Sequence, residues 1–321
     1  MRSPCVLLHS DETAAFAMQL RSEVPDLEVA ECNSYAALPE ALQKHRPEVV
    51  YTVRFDATQQ FPRDALFAEG GPRWIANGGA GTDHLGHWNT SRVIVTNAAG
   101  VAADMMAEYI MGGFLHFTLD VPGLQQDQNA RRWRARTVRP IKGQVLLIVG
   151  LGHTGQALAS RAKAFGMTIL GTRARPRPME NVDEVGGVEA LKQMLPRADF
   201  IAVATPLTSQ TRGLLNNAAF SAMKRGVILA DVSRGGVIET ASLLAALQDG
   251  TVAGAALDVF ETEPLPEDSP FWTQKNVLIS PHCSSVSDDW AAASFALFLS
   301  NLKRWAAGQA LFNIVDPDRG Y

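Results

Sequence analysis

Short apolar runs alternate along the chain with longer stretches whose apolar residues recur every three or four positions. The runs have the length of strands and the longer stretches have helical spacing. In the first hundred residues this pattern predicts strands at 5–9, 27–30, 48–53, 73–76 and 93–96. Helices are expected at 12–21 and 35–44, with a short one near 63–69. The apolar segment 101–119 has the length of a helix that could bridge two domains, and 125–139 reads polar and basic. From 144 onward the alternation resumes, with strands expected at 145–149, 167–172, 200–204, 227–232, 254–259 and 277–280. Strands that alternate with helices in this way predict parallel sheets with helices on their faces. Six strands in the second half is the count of a doubly wound sheet.

The run 145–149 breaks into glycines spaced Gly150-x-Gly152-x-x-Gly155, and a helical pattern over 156–165 stops at Gly166. A bare glycine pattern is equally a tight strand-to-helix turn with no ligand. Here the next apolar run, 167–171, completes a strand-helix-strand unit, which is the context of a dinucleotide site. The first glycine permits the turn, the second admits a pyrophosphate to the backbone, and the third lets helix and strand pack closely. The helix N-terminus adds unpaired N–H groups and a positive dipole end. A second glycine-rich stretch, Asn77-Gly78-Gly79-Ala80-Gly81-Thr82, follows the strand ending at Ala76. Its unshielded N–H groups could bind a carboxylate, or it could be a plain connector.

In doubly wound sheets ligands bind beyond the carboxyl ends of the strands. Ser233-Arg234-Gly235-Gly236 follows the fourth strand of the second half, Asp258 and 261–264 follow the fifth, and Pro281-His282 follows the sixth. Taken singly, these are a surface cation, a solvated loop acid and a satisfied histidine. Together, beside a dinucleotide site, they are equipment for reducing a 2-oxo acid. Arginine holds a carboxylate bidentately, histidine exchanges a proton near neutral pH, and Glu263 can fix its tautomer and favour the imidazolium.

At 321 residues, 46% of them hydrophobic and 19% charged, the chain is expected to form about two soluble globular domains. A net charge of -4 points away from nucleic acid and acidic membranes as partners. The local exception is the basic segment 131–139, in which Trp133 either packs under its loop or meets substrate or a second subunit. Cys5, Cys32 and Cys283 are too few and too scattered for a disulfide framework or a zinc knuckle, which suits a reducing cytoplasm. No stretch reaches transmembrane length, and the first apolar run is too short for a signal peptide. Cys283, beside His282, reads as a small space-filling residue rather than a nucleophile.

From about Trp74 to Val315 the sequence resembles the D-isomer-specific 2-hydroxyacid dehydrogenases. The likeness rests on Gly79-Ala80-Gly81-Thr82-Asp83, Val149-Gly150-Leu151-Gly152-His153-Thr154-Gly155 and Pro206-Leu207-Thr208. It rests also on Asp231-Val232-Ser233-Arg234-Gly235, on Leu257-Asp258-Val259-Phe260-Glu261-Thr262-Glu263-Pro264 and on Ser280-Pro281-His282. The resemblance implies a catalytic set of Arg234, Glu263 and His282, with the backbone N–H groups of Ala80 and Gly81 binding the substrate carboxylate. It assigns cofactor contacts to Gly150, Gly152, His153, Thr154, Gly155, Thr172, Arg173, Arg175, Thr205, Pro206 and Asp258, the last holding the nicotinamide carboxamide. It implies a Rossmann cofactor domain, 99–284, inserted into a flavodoxin-like α/β domain made of 1–98 and 285–321 and completed by a C-terminal helix near 284–307. The active site would lie in the cleft, and a homodimer built on the cofactor domains is expected.

Two departures refine the likeness. Formate dehydrogenases in this family carry glutamine at the position of Glu263, so the acid argues for an oxo or hydroxy acid. NAD-preferring members end the second strand in aspartate, where this chain reads Gly171-Thr172-Arg173-Ala174-Arg175. An arginine there can accept a 2'-phosphate, so NADP is the expected cofactor, with NAD possible. Two rivals share parts of the pattern: a non-catalytic dinucleotide-sensing protein of the corepressor kind, and an S-adenosylmethionine-dependent methyltransferase, which has no use for the Arg-Glu-His set.

Overall fold

The computed structural model describes residues 5–55 and 59–317. Contacts divide the chain into two compact units, Met1–Val101 with Asp288–Tyr321, and Ala102–Ser287. The sequence placed these divisions after 98 and after 284.

The first unit is built on five parallel strands in the order β2-β1-β3-β4-β5. They are β1 (Cys5–His9), β2 (Glu28–Cys32), β3 (Val49–Thr52), β4 (Trp74–Asn77) and β5 (Ile94–Thr96). This is the flavodoxin-like order. Side chains alternate between the two faces, as a strand requires. Val6, Leu8, Val49, Tyr51, Trp74 and Ala76 form one core with Phe16 and Leu20 of α1 (Thr13–Glu23) and with the C-terminal helix, Trp290–Ala306. Cys5, Leu7, Val50 and Ile75 face the other way, against Leu38 and Leu42 of α2 (Leu38–His45) and Leu66 of α3 (Arg63–Leu66). The C-terminal helix brings Phe295, Phe298, Leu299 and Leu302 to the first core, each worth about 1.5–3 kcal/mol of burial. It starts at Trp290 rather than near 284: residues up to Ser287 belong to the second unit, within which the backbone N–H groups of Cys283 and Ser284 are bonded to Asp258.

His9 closes β1 fully buried, with Nδ1 2.8 Å from Thr52 Oγ1. Burial pushes its imidazole down to about 4, opposed by a backbone hydrogen bond at Ser34. The ring is therefore neutral in the folded state, and the stability this gives is lost as pH falls from about 6.5 through about 4.

The second unit carries seven parallel strands in the order β12-β11-β10-β9-β6-β7-β8. These are β6 (Val145–Val149), β7 (Thr168–Thr172), β8 (Glu184–Gly186), β9 (Phe200–Val203), β10 (Val227–Asp231), β11 (Val252–Leu257) and β12 (Val277–Ile279). The helices are α4 (Ala103–Thr118), α5 (Val121–Asn129), α6 (His153–Ala164), α7 (Leu191–Met194), α8 (Asn217–Ser221) and α9 (Thr240–Asp249). Leu147 and Val149 of β6 belong to one core, and Leu146 and Ile148 to the other, where α4 and α6 pack. The order reverses between β6 and β9, which makes that edge the topological switch point.

Two expectations need correction. The sheet has seven strands rather than six: Glu184–Gly186 pairs only with β7 and is half-buried, so no apolar run announces it. The fifth expected strand is Val252–Leu257 and ends before Asp258, which lets Asp258 begin a loop. The polar segment after α4 is partly helical, as α5, whose first turn is held by Gly123 N–H donating to Asp120. No helix among the described residues is long and apolar enough to cross a membrane.

Candidate active site

β6 ends at Val149 and α6 begins at His153, so the first two glycines of the motif make the turn and the third lies in the helix. Gly150 has φ +108, and a Cβ there would sit 2.7 Å from the carbonyl oxygen of Ala204. A Cβ on Gly155 would sit 2.2 Å from Gly150 O, so only glycine lets α6 approach the strand this closely. A Cβ on Gly152 would meet nothing within 4 Å. The backbone there faces open space, as a pyrophosphate on the helix N-terminus requires. Gly152 is the N-cap and contributes no side-chain bond. Thr205 and Pro206, half-buried after β9, flank the same switch point, and Thr154 sits in the first turn with Oγ1 3.6 Å from Met106 Sδ. These residues fit a dinucleotide.

At the end of β7, Thr172 is buried and Arg173 half-buried, its backbone N–H donating to Gly186 O at 3.0 Å. The Arg173 guanidinium lies 3.1 Å from Met179 Sδ, and Arg175 and Arg177 are exposed. The position is cationic, with no carboxylate at the strand end.

Arg234, Glu263 and His282 leave the ends of β10, β11 and β12 on three loops that are locked together. Asp231 is buried and accepts from Ser233 N at 2.9 Å and Ser233 Oγ at 2.5 Å, which closes the turn carrying Arg234. The Arg234 guanidinium donates from Nη1 to Ser233 O at 2.8 Å. A Cβ on Gly235 would stand 1.9 Å from Phe260 O, so this loop rests directly on the next. Phe260 N–H donates to Glu263 Oε1 at 2.9 Å, and the other carboxylate oxygen, Oε2, is 2.7 Å from His282 Nδ1. His282 and Glu263 are thus in direct contact, and Arg234 is close enough for its charge to act on Glu263.

Burial works against the ionised form of Glu263, but the bonds from His282 and Phe260 N–H prevail and hold its carboxyl below the usual range. At neutral pH it is therefore a carboxylate facing Nδ1, which leaves Nε2 as the position from which the ring can give a proton. Glu263→Gln keeps an acceptor for Nδ1 but removes a charge-assisted bond of about 1.5–3 kcal/mol, so kcat for reduction should fall roughly tenfold or more. A kcat equal to that of the unaltered protein would show that the carboxylate does not serve the ring.

Asp258 is the floor of the histidine loop. It is 1% exposed. Its carboxylate accepts from Ser280 Oγ at 2.6 Å, Cys283 N at 2.8 Å and Ser284 N at 3.1 Å, and its carbonyl accepts from His282 N at 3.0 Å. These bonds hold His282 at φ +52, a left-handed conformation unusual for a residue with a side chain. Cys283 is exposed and has no cysteine partner.

The glycine loop after β4 belongs to the first unit. Asn77 Nδ2 donates to Gly79 O at 2.8 Å and Gly81 O at 3.0 Å, and Asn97 Nδ2 donates to Ala80 O at 2.6 Å. In a planar trans peptide the N–H points opposite to the preceding carbonyl. Fixing the carbonyls of Gly79 and Ala80 therefore aims the N–H groups of Ala80 and Gly81 each away from its carbonyl.

Trp133 is not packed under its loop: it is 105% exposed. Arg132, Arg134 and Arg136 all turn to buried Asp127, at 2.9, 3.3 and 2.7 Å, and the alternating residue is left facing outward. Sequence reasoning also missed Asn77, Asn97, Asp231, Ser233 and Ser280. Their common signal is a short polar side chain at or just beyond the end of an apolar run, which marks a residue that ties a loop.

The sequence profile of the D-isomer specific 2-hydroxyacid dehydrogenase, NAD binding domain, matches residues 111–284. A glyoxylate reductase of Aeropyrum pernix is 31% identical, over 99% of this chain and 97% of that protein. A D-3-phosphoglycerate dehydrogenase of Methanocaldococcus jannaschii is also 31% identical over 96% of this chain, which spans only 58% of that longer protein. Among solved structures, a D-isomer specific 2-hydroxyacid dehydrogenase of Xanthobacter autotrophicus in complex with NADPH and MES superposes with a TM-score of 0.84. It is 30% identical, over 99% of this chain and all (100%) of that one. An NADPH-dependent glyoxylate/hydroxypyruvate reductase of Sinorhizobium meliloti, with NADP and sulfate, gives 0.82 at 26% identity, over 99% of this chain and 100% of the other. With this match, a flavodoxin-like unit, a Rossmann unit and an Arg-Glu-His set at its strand ends, the chain belongs to the D-isomer-specific 2-hydroxyacid dehydrogenases, a family of NAD(P)-dependent oxidoreductases.

Proposed function

We propose that this chain reduces a small 2-oxo acid of the glyoxylate or hydroxypyruvate kind to its D-2-hydroxy acid, with NADPH preferred to NADH. The observation that carries the reading is His282 Nδ1 held on the Glu263 carboxylate at 2.7 Å while Arg234 stands at the neighbouring strand end. The nicotinamide, when bound, supplies the hydride that reaches the carbonyl carbon. His282 gives its Nε2 proton to the carbonyl oxygen, and Glu263 stabilises the charge that the ring carries beforehand. Arg234 binds the carboxylate and polarises the same oxygen, and the N–H groups of Ala80 and Gly81 serve the carboxylate. Gly150, Gly152, His153, Thr154 and Gly155 would hold the pyrophosphate, Thr205 and Pro206 would border it, and Asp258 would take the carboxamide.

NADPH is favoured because the strand end that would present an acid to both ribose hydroxyls presents Arg173 instead, with exposed Arg175 next to it and Thr172 beside both. The Xanthobacter and Sinorhizobium relatives, crystallised with NADPH and NADP, agree with this choice. The reading includes a homodimer: exposed Leu119, Val121, Leu124, Trp133 and Val138 fall within one short stretch of the second unit and suit a second copy of the chain. It also places the protein in the cytoplasm, where cysteines stay reduced.

The test is a panel of glyoxylate, hydroxypyruvate, pyruvate and phosphohydroxypyruvate assayed with each cofactor. A charge-assisted contact of about 1.5–3 kcal/mol corresponds to roughly ten- to hundredfold discrimination in kcat/KM for NADPH. Arg173→Asp should move the preference toward NADH. Equal or better use of NADH by the unaltered protein would overturn the cofactor assignment, and turnover of none of the four acids would overturn the reaction.

A further inference from the structure

Resting on the reductase reading and deepening it, we propose that Tyr109 is a positioning residue for His282, acting through Ser280 and Asp258. Tyr109 belongs to α4, far in sequence from the three catalytic loops. Its hydroxyl is 2.7 Å from Ser280 Oγ, and Ser280 Oγ donates to Asp258 Oδ1 at 2.6 Å. Counting protons fixes the direction of this relay. Ser280 has one hydroxyl proton and spends it on the carboxylate, so Tyr109 must donate to Ser280. Burial pushes the Tyr109 phenol up to about 12, which keeps that proton in place across the working pH range.

The far end of the relay is the residue that shapes the histidine loop. Oδ1 of Asp258 takes Ser280 Oγ, Cys283 N and Ser284 N together, while the Asp258 carbonyl takes His282 N. Ser284 N also donates to Oδ2 at 3.1 Å, and donors on both oxygens fix the plane of the carboxylate. That plane sets where the peptides of residues 283 and 284 lie, and hence the left-handed backbone of His282. The aromatic ring of Tyr109 is half-buried between helix and strand end, so the relay anchors a catalytic loop to a long rigid helix. In a partly buried chain of hydrogen bonds each donor also polarises the next.

Tyr109→Phe removes one hydroxyl and keeps the ring. With the relay cut, kcat for 2-oxo acid reduction should fall roughly fivefold to tenfold while KM for the 2-oxo acid changes by less than about twofold. The solvent deuterium isotope effect on kcat should rise, because a displaced donor makes proton transfer more rate-limiting. Ser280→Ala should reproduce both changes, and Ser280→Thr, which keeps a hydroxyl, should recover most of the loss. A side chain that only contributes stability would lower the melting temperature and leave the isotope effect where it was. The imidazole 1H–15N signals of His282, assigned with His282→Gln, give a readout that needs no turnover. They should shift in Tyr109→Phe and in Ser280→Ala. Unmoved His282 signals in both variants would overturn the proposal, as would equal losses in Ser280→Ala and Ser280→Thr. Absence of turnover in the unaltered protein with shifted signals would instead sink the reductase reading and leave the positioning role standing.

Discussion

His282→Ala lowers kcat for 2-oxo acid reduction by about 100-fold or more, the range expected for loss of a positioned general acid. Of the three side chains Arg234, Glu263 and His282, an imidazole is the kind that both carries and releases a proton in the neutral range, while Glu263 is held in its ionised form by His282 and Phe260 N–H. The Glu263 carboxylate occupies Nδ1 at 2.7 Å, so the ring cannot turn to present the other nitrogen without losing its strongest partner. The same contact stabilises the imidazolium before reduction and becomes less useful once the proton has left, which makes the loss fall on kcat. His282→Gln separates two accounts of the effect. Glutamine can still accept from or donate to a neighbour but has no proton to transfer, so it should be as impaired as alanine if proton transfer is the role. Retention of most of kcat by His282→Gln would reduce the histidine to a hydrogen-bonding group. KM for NADPH should change little in either variant, because among the described residues the ring is bonded to Glu263 and not to the glycine turn proposed to hold the pyrophosphate.

Where the chain is completely buried, its pattern reads directly as structure. The bounds of β1 and β6 coincide with apolar runs because every residue of β1, and nearly every residue of β6, is enclosed by packed helices. The glycine spacing is legible for the same kind of reason: Gly150 and Gly155 face backbone at distances no side chain could tolerate, and Gly152 faces open space. β8 was invisible because three half-buried residues, Glu-Val-Gly, pair on one side only and carry no alternation. Arg234, Glu263 and His282 could be singled out because polar groups follow strand ends, yet the residues that tie their loops could not. That Asp258 would gather Ser280, Cys283 and Ser284, or that Asp127 would gather three arginines, depends on loops far apart in sequence arriving at one carboxylate. The left-handed backbone of His282 likewise has no sequence signal, since glycine is the residue that ordinarily marks it.

Arg234→Gln lowers kcat/KM by roughly 10²–10³, through both constants. Two interactions are removed together. A charge-assisted bond to the substrate carboxylate contributes about 1.5–3 kcal/mol, and it acts in the ground state and the transition state alike, so its loss appears in KM. Polarisation of the carbonyl oxygen grows as negative charge develops there, and removal of one such donor costs about 2.7–4 kcal/mol. Its loss appears in kcat, and the two overlap because one guanidinium serves both. The substitution is otherwise mild. The turn around residue 234 is closed by Asp231 and Ser233 and seated by Gly235 on Phe260 O, so the backbone should hold and the melting temperature should stay nearly unchanged. Arg234→Lys retains the charge without the planar fork and should recover only part of the loss, since a point charge cannot meet carboxylate and carbonyl oxygen at once. Steady-state constants for glyoxylate and hydroxypyruvate in the three proteins check this. A rise in KM with kcat untouched would confine Arg234 to carboxylate binding, and a kcat/KM within twofold of the unaltered protein would remove it from the reaction altogether.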